Sequence, residues 1–220
     1  MIEHVHRRAS ASRTIGAVIV ATDDARIADA VTRFGGVPRL TSASHFSATD
    51  RLAEVAADLD CDLVVNVQGD EPLLEPEAID AAVQPFAADP HLAMTTLCCR
   101  FENADDVNDP NVVKVVVSRN GFALYFSRAP IPCPFGKGSI PAAAGPFKHI
   151  GLYVYRRDVL LRLAGLAPTP LERCESLEQL RALEHGIAIK TVETRHDSIG
   201  VDTPQDLERV RRLLAAETRA

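Results

Sequence analysis

A chain of 220 residues, 46% apolar and 25% charged, is long enough to bury one sizeable core and fits a single domain over 1–220. Its net charge of -6, with no long basic tract, argues against a nucleic-acid polymer as partner, and no apolar run reaches the roughly 18 residues of a membrane span. Five cysteines (Cys61, Cys98, Cys99, Cys133, Cys174), odd in number and without a C-x-x-C pair, read as reduced thiols in a cytoplasm, and MIEHVHRRAS at the N-terminus lacks the apolar core of a signal peptide.

The predicted elements alternate along the chain. GAVIVATD (16–23) is a short β-branched run ending in polar residues, a strand feeding a loop. A helix over 25–34 stops at Gly35-Gly36, VPRL is a short strand, and 49–59 carries leucine, valine and alanine at helical spacing. CDLVVNVQ (61–68) is an apolar run of the kind a parallel strand buried on both faces requires. Pro76 suits the entry to a helix over 79–86. This rhythm predicts an α/β fold, a mostly parallel central sheet with helices on both faces.

The middle departs from the rhythm. VVKVVVSRNGFALYFSR (112–128) reads as two strands around Asn120-Gly121, a strong hairpin signal. The stretch 129–147 holds five prolines and three glycines and reads as a long irregular loop, so an antiparallel hairpin-and-loop insertion is expected over about 111–150. HIGLYVY (149–155) is a strand, 171–186 a helix ended by His-Gly, IAIKTVE a strand, and 203–217 an amphipathic helix that Thr203 can cap.

Ligands in open α/β sheets bind beyond the carboxyl ends of the strands. VNVQGDEP places Asp70 and Glu71 at such an end, where Gly69 allows a sharp turn and Asp70 offers magnesium a hard oxygen; the same residues also read as a solvated turn. SIGVDTPQDL places Asp202 after a strand-like segment, either as a helix cap or as a second acid on the same rim, and two aspartates that leave positions for water and phosphate suit magnesium. In SHFSATDRLAE, Ser47 and Thr49 either cap a helix or orient a ligand hydroxyl or phosphate, and Arg51 either clamps a carboxylate or is a surface charge. His149 opens a strand that also carries Tyr153. Glu172, Glu175 and Glu178 recur every third residue, the pattern of a solvated stripe. No ligand cluster for zinc is present in the sequence.

Taken in order, VNVQGDEP, SATDRLAE, NDPNVVKVV, ALYFSRAPIP, KHIGLYVYR, LERCESLEQLR and GVDTPQDLERV resemble the CMP-Kdo synthetase family of 3-deoxy-manno-octulosonate cytidylyltransferases over almost the whole chain. The resemblance implies a nucleotide-diphospho-sugar transferase fold, a homodimer, and a magnesium-dependent reaction of CTP with the acid sugar Kdo that serves lipopolysaccharide synthesis. It implies Asp70 and Asp202 as magnesium ligands and catalytic residues, and Arg51, Gln68, His149, Tyr153 and Glu178 as Kdo contacts. Two departures stand out. Ala48 occupies a position that is glycine in the family, where a positive φ would strain it. The family's opening strand and its basic CTP-phosphate loop have no counterpart before MIEHVHRRA, so the 220 residues are expected to lack the phosphate cradle and to bind CTP poorly. The rival readings are another CMP-sugar synthetase, such as one that makes CMP-sialic acid, and a non-catalytic dimerisation module.

Overall fold

Two strand assemblies organise the chain in the computed structural model, which describes residues 1–45, 47–136, 145–201 and 203–217. In chain order the helices and strands are α1 (Ile2–Ala11), β1 (Ile19–Thr22), α2 (Ala25–Arg33), β2 (Val37–Leu40), α3 (Ala48–Ala57), β3 (Leu63–Asn66), α4 (Pro76–Val83), α5 (Pro85–Ala88), β4 (Met94–Arg100), β5 (Lys114–Val117), β6 (Ala123–Ser127), β7 (Phe147–Arg156), α6 (Arg157–Ala164), α7 (Pro170–Glu175), α8 (Gln179–Glu184), β8 (Ile189–Glu193) and α9 (Pro204–Glu217). The larger sheet has the order β6-β5-β7-β4-β8, with β3 added along β7. β1 and β2 form a separate two-stranded parallel sheet.

The mixed α/β class with helices on both faces stands. Its pairing is less parallel than the strand–helix rhythm suggests: β1–β2 and β4–β8 are parallel, while β7 runs against β3, β4 and β5, and β5 runs against β6. The reason is the long β7, which returns through the middle of the sheet after the β5–β6 hairpin. Its alternation supplies two cores. Phe147, Tyr153 and Tyr155 join Ala53 and Ala56 of α3, Val159, Leu160 and Leu163 of α6, and Leu180 of α8. Ile150, Leu152 and Val154 meet Ala9 of α1 and Ala78, Ile79 and Ala82 of α4 on the other face. A fully buried side chain such as Leu160 or Ile79 contributes about 1.5–3 kcal/mol by leaving water.

Local chemistry sets the boundaries. Asp24 caps α2 by accepting from the Arg26 amide, and Ser47 caps α3 by accepting from the Asp50 amide. Pro85 cannot supply an amide hydrogen to a continuing helix, so the helix expected through 86 divides into α4 and α5. The helix expected over 171–186 divides as well, because Ser176 adopts the left-handed conformation at φ 52° between α7 and α8. β4 and α6, unread in the sequence, are a central strand and a helix that packs against α3, β7 and β3. The predicted hairpin forms, with Gly121 at φ 75° in its turn. Of the loop over 129–147, residues 137–144 lie outside the described residues.

One expectation fails along β3. Leu63, Val64 and Val65 are only half-buried, not enclosed on both faces. β3 has a partner strand on one side, β7, and its other edge faces a cleft.

Candidate active site

The rim beyond the C-terminal end of β3 carries the acids. After Asn66 the chain turns, the Glu71 amide donating to the Gln68 carbonyl at 3.3 Å. Gly69 has no positive φ, and an added Cβ there meets only the Ile2 Cδ1 at 3.6 Å, an ordinary contact; the turn does not require glycine. The Val201 amide donates to the Asp70 carbonyl at 3.0 Å, which stitches the segment before α9 to the QGDEP turn. Ser198 donates its hydroxyl to the Glu71 carboxylate. Burial raises the Glu71 pKa above the ordinary carboxyl value; the Ser198 bond opposes this, and the charges of Asp70 and Asp197 add to it. Lys148 of β7 pairs with Asp197 at 2.7 and 2.9 Å. Asp202 lies outside the described residues.

Arg51, one turn into α3, spans the ends of the smaller sheet. Its guanidinium donates to Asp23 Oδ2 at 2.9 Å and to Thr41 Oγ1 at 2.5 Å. The fork therefore already holds one carboxylate and one hydroxyl, the ligand types its planar donors suit.

A third group forms where α3 begins. Glu178 accepts from the amides of Ala48 and Thr49 at 3.2 and 3.3 Å and from the Thr49 hydroxyl at 2.7 Å. The Tyr155 hydroxyl is hydrogen-bonded to Thr49 and Asn66. Ala48 is the first residue of α3, and the only non-glycine residue with a positive φ among those described is Ser176, so the alanine at 48 is unstrained.

The acidic stripe proves to be three separate structural contacts. Glu172 is buried against Arg181 at 2.5 and 2.8 Å, Glu175 accepts from the Ser127 hydroxyl and the Arg128 amide, and Glu178 caps α3. The break at Ser176 turns the third acid away from the first two.

His149 and Tyr153 are both 9% exposed and sit within the sheet. The His149 ring packs against Phe126 at 4.9 Å and Tyr153 at 5.5 Å, and Tyr153 packs against Tyr155 at 6.0 Å. Burial depresses the His149 pKa to about 3 and raises that of Tyr153 well above the ordinary phenol value. His149 Nε2 lies 2.9 Å from Thr96 Oγ1, whose single proton already has carbonyl acceptors at Leu152 and Ile150. The proton on this contact is thus best assigned to Nε2, leaving Nδ1 as the acceptor nitrogen.

The structure therefore links Glu178, Thr49, Tyr155, Tyr153 and His149 in one series of contacts, with Gln68 beside Gly151 of β7. Asp70 and Arg51 are held by other partners, Asp70 in the turn after β3 and Arg51 at the ends of β1 and β2. Sequence reasoning missed Asp23, Thr41, Lys148, Asp197 and Ser198. Asp23 follows the first strand as Asp70 follows β3, so the strand-end rule could have found it; the others needed the fold. An open groove of about 940 Å³ lined by Arg13, Asp80 and Arg156 lies at the opposite end of β3, far from these acids.

Residues 1–192 match the family model described as cytidylyltransferase. The chain belongs to the cytidylyltransferase family. Its cytidylyltransferase relatives include the 3-deoxy-manno-octulosonate cytidylyltransferase of Syntrophotalea carbinolica, 57% identical over 215 residues that cover 96% of this chain and 86% of that one. The enzyme of that name from Geobacter metallireducens is 53% identical over 217 residues, 96% of this chain and 85% of the relative. A solved CMP:2-keto-3-deoxy-manno-octonic acid synthetase complexed with CTP superposes with a TM-score of 0.91 at 44% identity, covering 98% of this chain and 88% of its own. A 4-diphosphocytidyl-2C-methyl-D-erythritol synthase from Anaerococcus prevotii, 13% identical with a TM-score of 0.61 over 97% of this chain and 88% of its own, shares the fold.

Proposed function

We propose that this cytidylyltransferase activates 3-deoxy-manno-octulosonate (Kdo) with CTP, giving CMP-Kdo and pyrophosphate for lipopolysaccharide synthesis. The observation that carries the reading is the 57% identity to an enzyme of that name across 96% of the chain. The superposition on a CTP-bound synthetase supports it independently.

In the reaction, the anomeric oxygen of Kdo forms a bond to the α-phosphorus of CTP as the bond to the pyrophosphate oxygen breaks, and the sugar hydroxyl loses its proton. Arg51 suits the Kdo carboxylate: its planar fork is oriented by Asp23 and Thr41, a carboxylate and a hydroxyl, the group types an acid sugar offers. Gln68, Thr49 and Glu178 suit the sugar hydroxyls, and His149 and Tyr153 form the apolar floor that excludes water.

A magnesium ion fits the acid rim. Burial raises the Glu71 pKa and the neighbouring charges of Asp70 and Asp197 add to it, with Lys148 paired to Asp197, and a cation would offset that crowding of negative charge. Among the described residues no group of three or more His, Cys, Asp or Glu is placed to hold a metal ion. Asp70 would hold the ion with Asp202, leaving positions for water and phosphate. When bound, it neutralises the triphosphate. We place the reaction in the cytoplasm; no helix among the described residues is long and apolar enough to cross a membrane. We assign the active species as a homodimer through the β6 edge, where Leu124 is 63% exposed.

The test is to incubate the protein with CTP, Kdo and magnesium and resolve the products by chromatography. CMP-Kdo and pyrophosphate in equal amounts are expected. Turnover of a different acid sugar with none of Kdo would overturn the substrate assignment.

A further inference from the structure

We propose that Glu175 is a positioning residue for Glu178: it docks the end of α7 on the end of β6, and so fixes where the Glu178 carboxylate meets α3 and the sugar. The proposal rests on the assignment of Glu178 to the Kdo hydroxyls made above. Only Ser176 and Leu177 separate the two acids, so a displacement of one passes to the other through a very short stretch of chain.

Donors from the end of β6 converge on Glu175. The Ser127 hydroxyl donates to Oε1 at 2.7 Å, the Tyr125 hydroxyl to the same oxygen at 3.4 Å, and the Arg128 amide to Oε2 at 2.9 Å. Tyr125 and Ser127 lie two apart on β6 and so project from one face of the strand. Arg128 returns the contact, its Nε donating to the Glu175 carbonyl at 2.7 Å and its Nη2 to the Ser176 carbonyl at 3.4 Å. A helix leaves its last carbonyls without an intrahelical donor, and here one guanidinium supplies two of them. Between these held groups Ser176 takes φ 52°, a conformation that a residue other than glycine keeps where its surroundings over-determine it. Glu172, earlier on α7, is closed on Arg181 of α8 at 2.5 and 2.8 Å, which braces the corner from its other side. Beyond the corner Leu177 is buried, and Glu178 reaches the Ala48 and Thr49 amides and the Thr49 hydroxyl. Glu175 is thus the last side-chain anchor before Glu178, and it joins that acid to a strand outside the α3 contact.

Glu175→Ala, Glu178→Ala and the double variant of the full 220-residue chain test this. Glu175→Ala is expected to raise the KM for Kdo on the order of fivefold, with kcat and the KM for CTP little changed. Amide exchange at Ala48 and Thr49, followed by NMR, should quicken on the order of tenfold, while the Asp50 amide held by Ser47 keeps its rate. In the Glu178→Ala background, Glu175→Ala should add nothing to either readout, because its effect runs through Glu178. Ile79→Val, a core change on the other face of the sheet, is expected to lower the melting temperature and move neither. Ser127→Ala removes a single donor and should give the same pattern at smaller size; it decides the matter where Glu175→Ala fails to fold. Additive effects in the double variant, KM values for both substrates rising together, or unchanged exchange at Ala48 and Thr49 would overturn the proposal. If the wild-type chain turns over no Kdo, the substrate reading falls by itself, and the exchange pattern alone judges the positioning of Glu178.

Discussion

Arg51 is preloaded with a carboxylate and a hydroxyl, and this makes its role separable by kinetics. Arg51→Ala is expected to raise the KM for Kdo on the order of 10-fold or more, the loss of a charge-assisted contact of about 1.5–3 kcal/mol, with kcat and the KM for CTP little changed. A weakened CTP dependence with Kdo unaltered would place Arg51 on the other substrate. Asp70→Asn keeps the size of the side chain and removes its charge. Turnover should fall on the order of 10²–10³-fold while the Val201-to-Asp70 main-chain bond and the melting temperature persist. Wild-type rates in that variant would remove Asp70 from the machinery.

His149 belongs to stability as much as to the site. Its folded pKa is depressed from 6.5 to about 3, so between those values the unfolded chain binds a proton that the folded chain refuses. Stability from this group is fully present above about 6.5 and declines as the pH falls toward 3. Denaturant titrations of wild type and His149→Phe should therefore differ in slope over that window, by up to about 1.4 kcal/mol per pH unit. Parallel curves would mean that the imidazole is hydrated and protonates normally.

At the scale of elements, α3 is held by a carboxylate from another helix. Glu178 satisfies two amides at its N-terminus and the Thr49 hydroxyl, positions that a helix otherwise leaves to caps or water. Glu178→Ala is expected to cost about 1–3 kcal/mol in urea unfolding, because those donors lose their acceptor while part-buried. An unchanged midpoint together with a raised KM for Kdo would make Glu178 a substrate contact and nothing more. This contact was invisible along the chain, where 178 appears as the third acid of a stripe; the left-handed Ser176 separates it from Glu172. The hairpin at Asn120-Gly121 and the Ser47 cap were legible because both are decided by two to four neighbouring residues. Buried Lys114 went unremarked, since its three carbonyl acceptors, at Asp109, Val112 and Arg128, come from both ends of that hairpin.

For the whole molecule, the β6 edge is the end of the larger sheet and presents an exposed apolar side chain to a partner. Leu124 projects 63% exposed from an edge strand, and Phe135 beyond it is fully exposed. Leu124→Glu should convert the proposed homodimer into a monomer in sedimentation velocity, with a native far-UV spectrum. A wild-type monomer at micromolar concentration would reject that seam.

The sequence by itself determined where most of the strands and helices lie, β4 and α6 excepted, because period, caps and breakers act over a few residues. Its QGDEP turn and Arg51 stood out by chemistry alone as candidate site groups. Only the tertiary structure decided that β7 enters antiparallel and divides its side chains between two cores. It alone placed Lys148 and Asp197 beside Glu71, and buried His149 deeply enough to hold it neutral. Those outcomes depend on contacts between residues tens of positions apart, and pattern along a chain carries no record of which distant groups will share a desolvated space.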